Sequence, residues 1–183
     1  YWNMKAGGDI ALAPPQLLLK RRYPNATFQE YRGSVGWVMR HATPDDVRRI
    51  KAECDGVIGT TADCGSCTSW LIRDLIEFEQ VGVPSVGITA AHFVPDAHRS
   101  AENFGLPNLS LAVVPEPLTN QTPDEIRATI DANIDQIVAG LTQVQSAPKL
   151  ASKITFLSDE WLTFDGDDEL AALEVMNSEF LRY

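Results

Sequence analysis

Residues 55–78 have the sequence DGVIGTTADCGSCTSWLIRDLIEF, in which a strand pattern gives way to a helix pattern. The β-branched run at residues 55–60 ends in small residues and predicts a short buried strand. Large apolar residues then recur at spacings of three and four, which predicts an amphipathic helix that ends before Gly82. These residues are Trp70, Leu71, Leu75 and Phe78. The segment therefore predicts a strand, a short turn and a helix.

Strands and helices go on alternating through most of the chain. Apolar runs predict further strands at residues 83–89 and 109–114. Two helix starts of the form Thr-Pro-Asp, at Thr43 and Thr122, predict helices that run to about residues 52 and 143. Parallel strands need such crossover connections, and the helices then cover both faces of the sheet.

This order of elements predicts an α/β fold: a three-layer sandwich around a mainly parallel sheet, of the Rossmann or flavodoxin-like type. At residues 1–40 we expect an N-terminal extension with loop, a short helix and one strand within residues 28–38. We assign residues 1–145 to a single domain that carries the cysteine turn. Residues 146–183 are predicted to form a linker, a short strand at residues 154–157 and a C-terminal helical tail that docks on a partner subunit.

The composition narrows the class of protein. The chain has 183 residues, a formal net charge of −10 and 44% apolar residues. This apolar content supports a folded core, whereas the negative charge disfavours nucleic acids and anionic membrane surfaces as partners. The sequence has no uncharged apolar run of about 18 residues that could span a bilayer. Residues 1–20 lack the basic start, apolar middle and small-residue cleavage site that follow one another in a signal peptide. We therefore expect a cytoplasmic protein that acts on a small-molecule substrate.

The chain has three cysteines, an odd number, and does not need disulfides for its stability, so we do not expect a disulfide framework. Cys64 falls just before the predicted helix and Cys67 in its first turn. Backbone N–H groups and the helix dipole lower the pKa of a thiol at such positions, and the Cys-x-x-Cys spacing brings the sulfurs within disulfide reach. We predict Cys64 as the nucleophile, because it lies at the exposed edge, and Cys67 as the thiol that resolves the adduct. Cys54, before the strand, is expected to be an apolar filler.

Two other interpretations of the pair stay open. Cys-x-x-Cys is also half of many tetrahedral zinc sites, and the remaining ligands would have to come from Cys54, His41, His92 and His98. The other interpretation is inert packing of small residues.

Polar side chains surround the cysteines. The hydroxyls nearby either cap the helix or hold an anionic ligand, and Asp63 acts as a base or as a cap. On this basis we predict a set of substrate-binding residues: Thr60, Thr61, Asp63, Ser66, Thr68, Arg99 and Glu116.

Three of the candidate residues follow later strands. His92 follows the strand at residues 83–89, and successive ends of parallel strands lie side by side, so His92 is predicted to face Cys64. There an imidazole deprotonates a thiol or protonates a leaving group; the alternative is a half-buried structural histidine. Arg99 is predicted to bind a carboxylate, and Glu116 to orient His92 or contact substrate. Each of these two has a solvent-facing side chain as its alternative.

The sequence DCGSCT at residues 63–68 resembles the motif of the UGSC family, in which selenocysteine or cysteine precedes Gly-Ser-Cys. The resemblance extends over residues 55–139. The segment is also similar to the selenocysteine subunit of glycine, sarcosine and betaine reductases, where U-G-T-C-T stands at this turn. That likeness implies attack by Cys64 on a carbon next to a departing nitrogen. A further cysteine that follows the motif in the reductases is replaced here by Ser69 and Trp70.

The tail carries a further resemblance. Residues 164–166 and 176–177 resemble a connector to a second domain in longer UGSC members. This implies that a partner subunit supplies that second domain.

Three functional hypotheses follow. The first is a thiol-dependent enzyme of oxidoreductase type, without a cofactor, that uses Cys64, Cys67 and His92 on a small-molecule substrate, as one subunit of a larger complex. The second is a metal-binding subunit of a hetero-oligomeric hydratase or lyase, in which the same three residues bind a metal ion. The third is a non-catalytic scaffold subunit.

Overall fold

The computed structural model describes residues 1–3, 5–33, 41–142, 154–158 and 161–164. Three parallel strands form a sheet in the order β1-β2-β3, and they are β1 (Val57–Ala62), β2 (Ser85–Ala90) and β3 (Ser110–Val114). The helices are α1 (Gly8–Arg22), α2 (Pro44–Glu53), α3 (Gly65–Gln80), α4 (Val94–Asn103), α5 (Pro123–Ala132) and α6 (Ile134–Thr142). Short 3-10 turns follow β2 and β3, at Ala91–Phe93 and Leu118–Asn120. The predicted α/β class and the parallel sheet are confirmed.

Each face of the sheet has its own hydrophobic core. On one face α3 and α4 pack through Leu71, Leu75 and Ala97. On the other face Val86 and Ile88 of β2 pack with Ala11 of α1 and with the isoleucines of α5 and α6, which are Ile126, Ile130 and Ile137. The alternating directions of side chains along a strand explain the two cores.

Helix α3 lies very close to the sheet. A Cβ atom on Gly59 would lie 2.6 Å from Leu75 Cδ2, and one on Gly87 would lie 2.9 Å from Leu75 Cδ1. Glycine at both positions therefore lets Leu71 and Leu75 rest directly on the strands. This contact holds the middle of α3 against β1 and β2.

The N-terminal segment extends the sheet beyond β1. Trp2 forms parallel bridges with Thr60 on one side and Arg32 on the other. The Asn3 N–H donates to the Thr60 carbonyl at 2.9 Å. Residues 1–3 thus lie between β1 and residues 31–33.

Helix α1 is longer than the short helix that the sequence predicts. It runs for 15 residues and contains Pro14 and Pro15, both buried. Burial of the two rings stabilises the segment although neither proline can donate a backbone hydrogen bond. Of the strand predicted within residues 28–38, the described part has a bridge at Arg32 only, and residues 34–40 lie outside the described residues.

The start of α2 agrees with the prediction, and Thr43 and Asp46 form a capping box there. The helix ends at Glu53, one residue beyond the predicted end. The single helix predicted for residues 123–143 is wrong, since α5 and α6 are separate helices. Asn133 lies between them, and its side-chain amide donates to the Thr129 carbonyl at 2.7 Å. Such a bond competes with the helical ladder, which explains the break.

The strand predicted at residues 154–157 is confirmed as β4 (Ile154–Ser158). It pairs antiparallel with β5 (Trp161–Phe164), a strand that the sequence analysis did not predict. The predicted C-terminal helical tail lies outside the described residues. In the part of the chain that the structure describes, no helix has the length and apolar character needed to span a membrane.

Candidate functional site

The cysteine turn lies where β1 ends and α3 begins. Cys64 is the N-cap of α3 with extended backbone, and its sulfur accepts the Cys67 N–H at 3.3 Å. The Cys64 carbonyl accepts the N–H and the hydroxyl of Thr68, at 3.0 and 2.6 Å. Cys64 thus stands just before the helix and Cys67 in its first turn, as predicted. A sulfur at this N-cap lies at the positive end of the helix dipole.

Cys64 and Cys67 form a disulfide in this structure, with their Cα atoms 5.4 Å apart. The two differ in access to solvent, because Cys64 is half-buried whereas Cys67 is 1% exposed. An incoming molecule therefore meets Cys64 first. The hydroxyl of Ser66 lies 3.9 Å from the Cys64 sulfur at this exposed edge.

Asp63 is buried beside the disulfide and is tied to the turn after β3. Its Oδ2 accepts the Thr119 N–H at 3.0 Å and the Thr119 hydroxyl at 2.5 Å. Its Oδ1 lies 3.6 Å from the Cys67 sulfur. The Asp63 carboxylate therefore connects the cysteine turn to the loop after β3, at the same edge of the sheet.

Asn3 holds the turn from the other side, and the sequence analysis missed it. Its side-chain amide donates to the carbonyls of Thr61 and Cys67, at 2.9 and 3.2 Å, and its Oδ1 accepts the Thr61 N–H at 3.1 Å. Asn3 is fully buried. No local pattern signals this role, because Asn3 stands about 60 residues before its partners in the chain.

The predicted hydroxyl residues divide into two groups. Thr60 and Thr61, which are joined by a cis peptide bond, are buried, and their hydroxyls lie 2.5 Å apart. The Thr68 hydroxyl is engaged with the Cys64 carbonyl. These three hydroxyls bind protein atoms in this structure, whereas Ser66 is exposed beside Cys64.

The candidates on the later loops are exposed. His92 lies in the 3-10 turn that follows β2, and Glu116 lies in the loop after β3. Arg99 on α4 is 70% exposed and pairs with Asp96 at 3.2 Å. His98 on α4 is exposed as well. Among the described residues, the structure gives none of these four side chains a hydrogen bond or ion pair with Cys64 or Cys67.

One group of potential metal ligands occurs in the described residues. It contains Asp63, Cys64 and Cys67, whose ligand atoms lie within 4.8 Å of one another, and it does not include His92. Metal binding by cysteine requires thiolates. In the disulfide state neither sulfur is a thiolate, so the group is a candidate metal site only after reduction.

A second polar cluster, also missed from sequence, lies in the middle of α3. Asp74 is 1% exposed; its Oδ2 accepts the Tyr1 hydroxyl at 2.5 Å, and its Oδ1 lies 2.9 Å from His41 Nδ1. Burial raises the pKa of Asp74, and the hydrogen bonds from His41 and Tyr1 offset only part of that rise. Burial, and then the Asp74 carboxylate, raise the pKa of the Tyr1 phenol. His41, which the sequence offered as a zinc ligand, is thus bound to a carboxylate.

The comparisons with known proteins add one finding. No curated protein and no solved structure matches this chain. The likeness to the reductase subunit therefore stays a prediction. The sequence profile of the UGSC family matches residues 1–143, which include the N-terminal segment, the cysteine turn and all three parallel strands. The chain belongs to the UGSC family.

Proposed function

We propose that the chain is a thiol-dependent enzyme of oxidoreductase type in which Cys64 and Cys67 perform thiol-disulfide exchange with a small-molecule substrate. The observation that carries this proposal is the paired geometry at the start of α3. The Cys64 sulfur accepts a backbone N–H there, and Cys67 is close enough to form a disulfide with it. Membership of the UGSC family and the Cys pair support a redox or a metal role. The disulfide favours the redox role.

The burial of the two cysteines supports a division of labour. Cys64 is accessible and is stabilised as a thiolate by the helix start, so it attacks the substrate sulfur. For a small disulfide RS–SR, this attack forms a Cys64–SR mixed disulfide and releases RS⁻. Cys67 then attacks the Cys64 sulfur, which releases the second RS⁻ and leaves the Cys64–Cys67 disulfide. The substrate gains two electrons, and an external dithiol returns them to the enzyme.

The proposed substrate site needs groups around Cys64 that the described residues do not supply by themselves. His92 and Glu116 are exposed on the loops after β2 and β3. We propose that a partner subunit or second domain covers this edge in the cytoplasm and completes the substrate site with them. Substrate chemistry then depends on the assembled complex, whereas the reactivity of Cys64 is a property of this chain.

Alkylation of the reduced protein tests the proposal. We expect iodoacetamide to modify Cys64 with an apparent pKa below the free-thiol value of about 8.5. Cys54 is an internal reference, because it carries a free, half-buried thiol away from any helix start. Mass spectrometry of the modified peptides across pH 5 to 9 measures both thiols at once. A Cys64 thiol that titrates like Cys54 would contradict the proposal.

Elemental analysis separates the metal hypothesis. If the reduced protein binds one equivalent of zinc and the Cys64→Ser variant loses it, a metal-binding subunit of a hydratase or lyase is favoured. The scaffold hypothesis predicts that Cys64→Ser changes neither the assembly of the complex nor any of its activities.

A further inference from the structure

We propose that Asp63 acts on Cys67 and not on the substrate: Asp63 Oδ1 receives the Cys67 proton when Cys67 resolves the mixed disulfide on Cys64. This inference rests on the proposed function, because it assigns a proton acceptor within the same exchange reaction. It gives the buried carboxylate a role that its place in the motif alone does not reveal.

The two oxygens of Asp63 have different partners. Oδ2 accepts both the N–H and the hydroxyl of Thr119. Oδ1 lies 3.6 Å from the Cys67 sulfur, and the structure gives it no other partner among the described residues. The loop after β3 thus holds the carboxylate by one oxygen and leaves the other oxygen directed at Cys67.

A second acceptor near Cys67 is already occupied. The Cys64 carbonyl oxygen lies 3.3 Å from the Cys67 sulfur. It also accepts the Thr68 N–H and the Thr68 hydroxyl, and two donors satisfy its two lone pairs. A carbonyl oxygen is also far less basic than a carboxylate, so the thiol proton of reduced Cys67 goes to Asp63 Oδ1.

Burial makes an internal acceptor necessary. Cys67 is 1% exposed and Asp63 is 6% exposed, so bulk water has little access to the thiol proton. Among the described residues Asp63 forms no ion pair with lysine, arginine or histidine, and the cysteine sulfurs grouped with its carboxylate, within 4.8 Å, are those of Cys64 and Cys67. The carboxylate is therefore available as a base.

The step conserves atoms and electrons. The Cys67 S–H bond breaks and its proton moves to Asp63 Oδ1, while the Cys67 sulfur forms a bond with the Cys64 sulfur. The bond between Cys64 and the substrate sulfur breaks, and its electron pair leaves with the substrate thiolate. That thiolate then takes the proton from Asp63, which restores the carboxylate.

A chromogenic aromatic disulfide, added to reduced, chelator-treated protein that carries Cys54→Ser, separates the two chemical steps on the metal-free cysteine turn. Release of the first thiolate reports attack by Cys64, and release of the second reports resolution by Cys67. In Asp63→Asn the amide oxygen still accepts from Thr119, but the group facing Cys67 no longer accepts a proton. We expect the ratio of the second rate to the first to fall at least about tenfold at pH 7, which is a modest share of what general bases contribute.

The pH profile distinguishes proton transfer from simple support of the turn. In the parent protein the second rate should be nearly flat from pH 6 to 8, because the base is built in. In Asp63→Asn it should rise by about tenfold per pH unit, since only the thiolate fraction of Cys67 then reacts. Thr119→Val is the matched control: it removes one hydrogen bond to Asp63 but keeps the carboxylate. We expect less than about a threefold loss with the parent profile.

Each outcome decides the matter. An unchanged rate ratio in a folded Asp63→Asn protein would overturn the role of Asp63 while leaving the reactivity of Cys64 intact. If that variant does not fold, the parent profile decides, because a log-linear rise from pH 6 to 8 excludes a built-in base. If Cys64 fails the alkylation test, the proposed function itself fails.

Discussion

One buried aspartate lies just before the first turn of α3 and another lies in the middle of the helix. The two carboxylates accept hydrogen bonds from different sets of donors. Asp63 precedes the helix and accepts a backbone N–H and a hydroxyl from the neighbouring loop. Asp74 lies in the middle of the helix and accepts hydrogen bonds from the side chains of Tyr1 and His41 and from the backbone of Ala42. The start of α3 leaves its own backbone N–H groups available, and the Cys67 N–H donates there to the Cys64 sulfur, whereas in the middle of a helix the ladder uses them all.

This difference suggests a division between chemistry and structure along one helix. The open first turn can support a negative charge on a sulfur and admit a ligand. The middle offers a buried side chain no free N–H group of the helix itself, so Asp74 takes all its donors from other segments. We therefore expect substitutions in the middle to change the free energy of unfolding, and substitutions at the start to change reactivity.

The largest effect is expected from Asp74→Ala. The Tyr1 hydroxyl and the His41 ring would lose their shared acceptor in a buried site, so the free energy of unfolding should fall by about 2–4 kcal/mol. Urea unfolding measures the change. The exposed Asp131→Ala on α5 is the control and should stay within about 0.5 kcal/mol of the parent. Equal effects of the two substitutions would show that the buried cluster contributes nothing to stability.

Close packing gives the next effect. Gly59→Ala places a methyl group 2.6 Å from Leu75 Cδ2, and such overpacking should cost about 1–3 kcal/mol. Gly65→Ala, in the first turn of α3, meets no atom within 4 Å and should be neutral or stabilise by up to about 1 kcal/mol. Thermal melting of both variants compares the packed middle with the open start. A Gly65→Ala loss as large as that of Gly59→Ala would break the comparison.

A smaller effect depends on pH. Because burial raises the folded-state pKa of Asp74, its contribution to stability is complete below the ordinary aspartate pKa and declines as the pH rises through the raised value. Asp74→Asn cannot titrate, so the stability advantage of the parent over this variant should shrink between pH 4 and pH 7. Unfolding curves at several pH values measure the difference. An advantage that grows with pH would mean that the His41 contact outweighs burial.

The smallest effect is expected at Thr119, the loop residue that donates to Asp63. Thr119→Val removes the hydroxyl that donates to Asp63 but keeps the backbone N–H bond. Thr119 is exposed, so the free energy of unfolding should fall by only about 0.5–1 kcal/mol. Chemical unfolding of Thr119→Val and of the exposed Thr142→Val measures this step. A loss larger than that of Asp74→Ala would mean that the hydrogen bonds at Asp63 contribute more to stability than those at Asp74.

The sequence predicts the parts of this fold that depend on near neighbours. The strand-turn-helix pattern at residues 55–78 gives β1, the N-cap position of Cys64 and the helix that follows. The helix break at Asn133 was missed because a side-chain bond to the Thr129 carbonyl overrides an apolar pattern that continues on both sides.

Features that join distant residues could not be predicted. Asp74 looks like an ordinary polar residue of an amphipathic helix until folding brings Tyr1 and His41 to it. His92 shows the reverse case. Its place directly after the second strand was predicted correctly, but that place does not determine how a side chain is directed, and the structure leaves His92 exposed.

The amide of Asn3 has a practical consequence for anyone who trims or fuses this protein. A fragment that begins after residue 3 would keep both cysteines of the turn but lose the bonds that hold the Thr61 and Cys67 carbonyls. Such a fragment could look chemically inert, and that inertness would reflect missing scaffolding rather than an unreactive sulfur. Fragment boundaries and fusion partners for biochemical work should therefore leave the Tyr1–Asn3 segment in place beside β1.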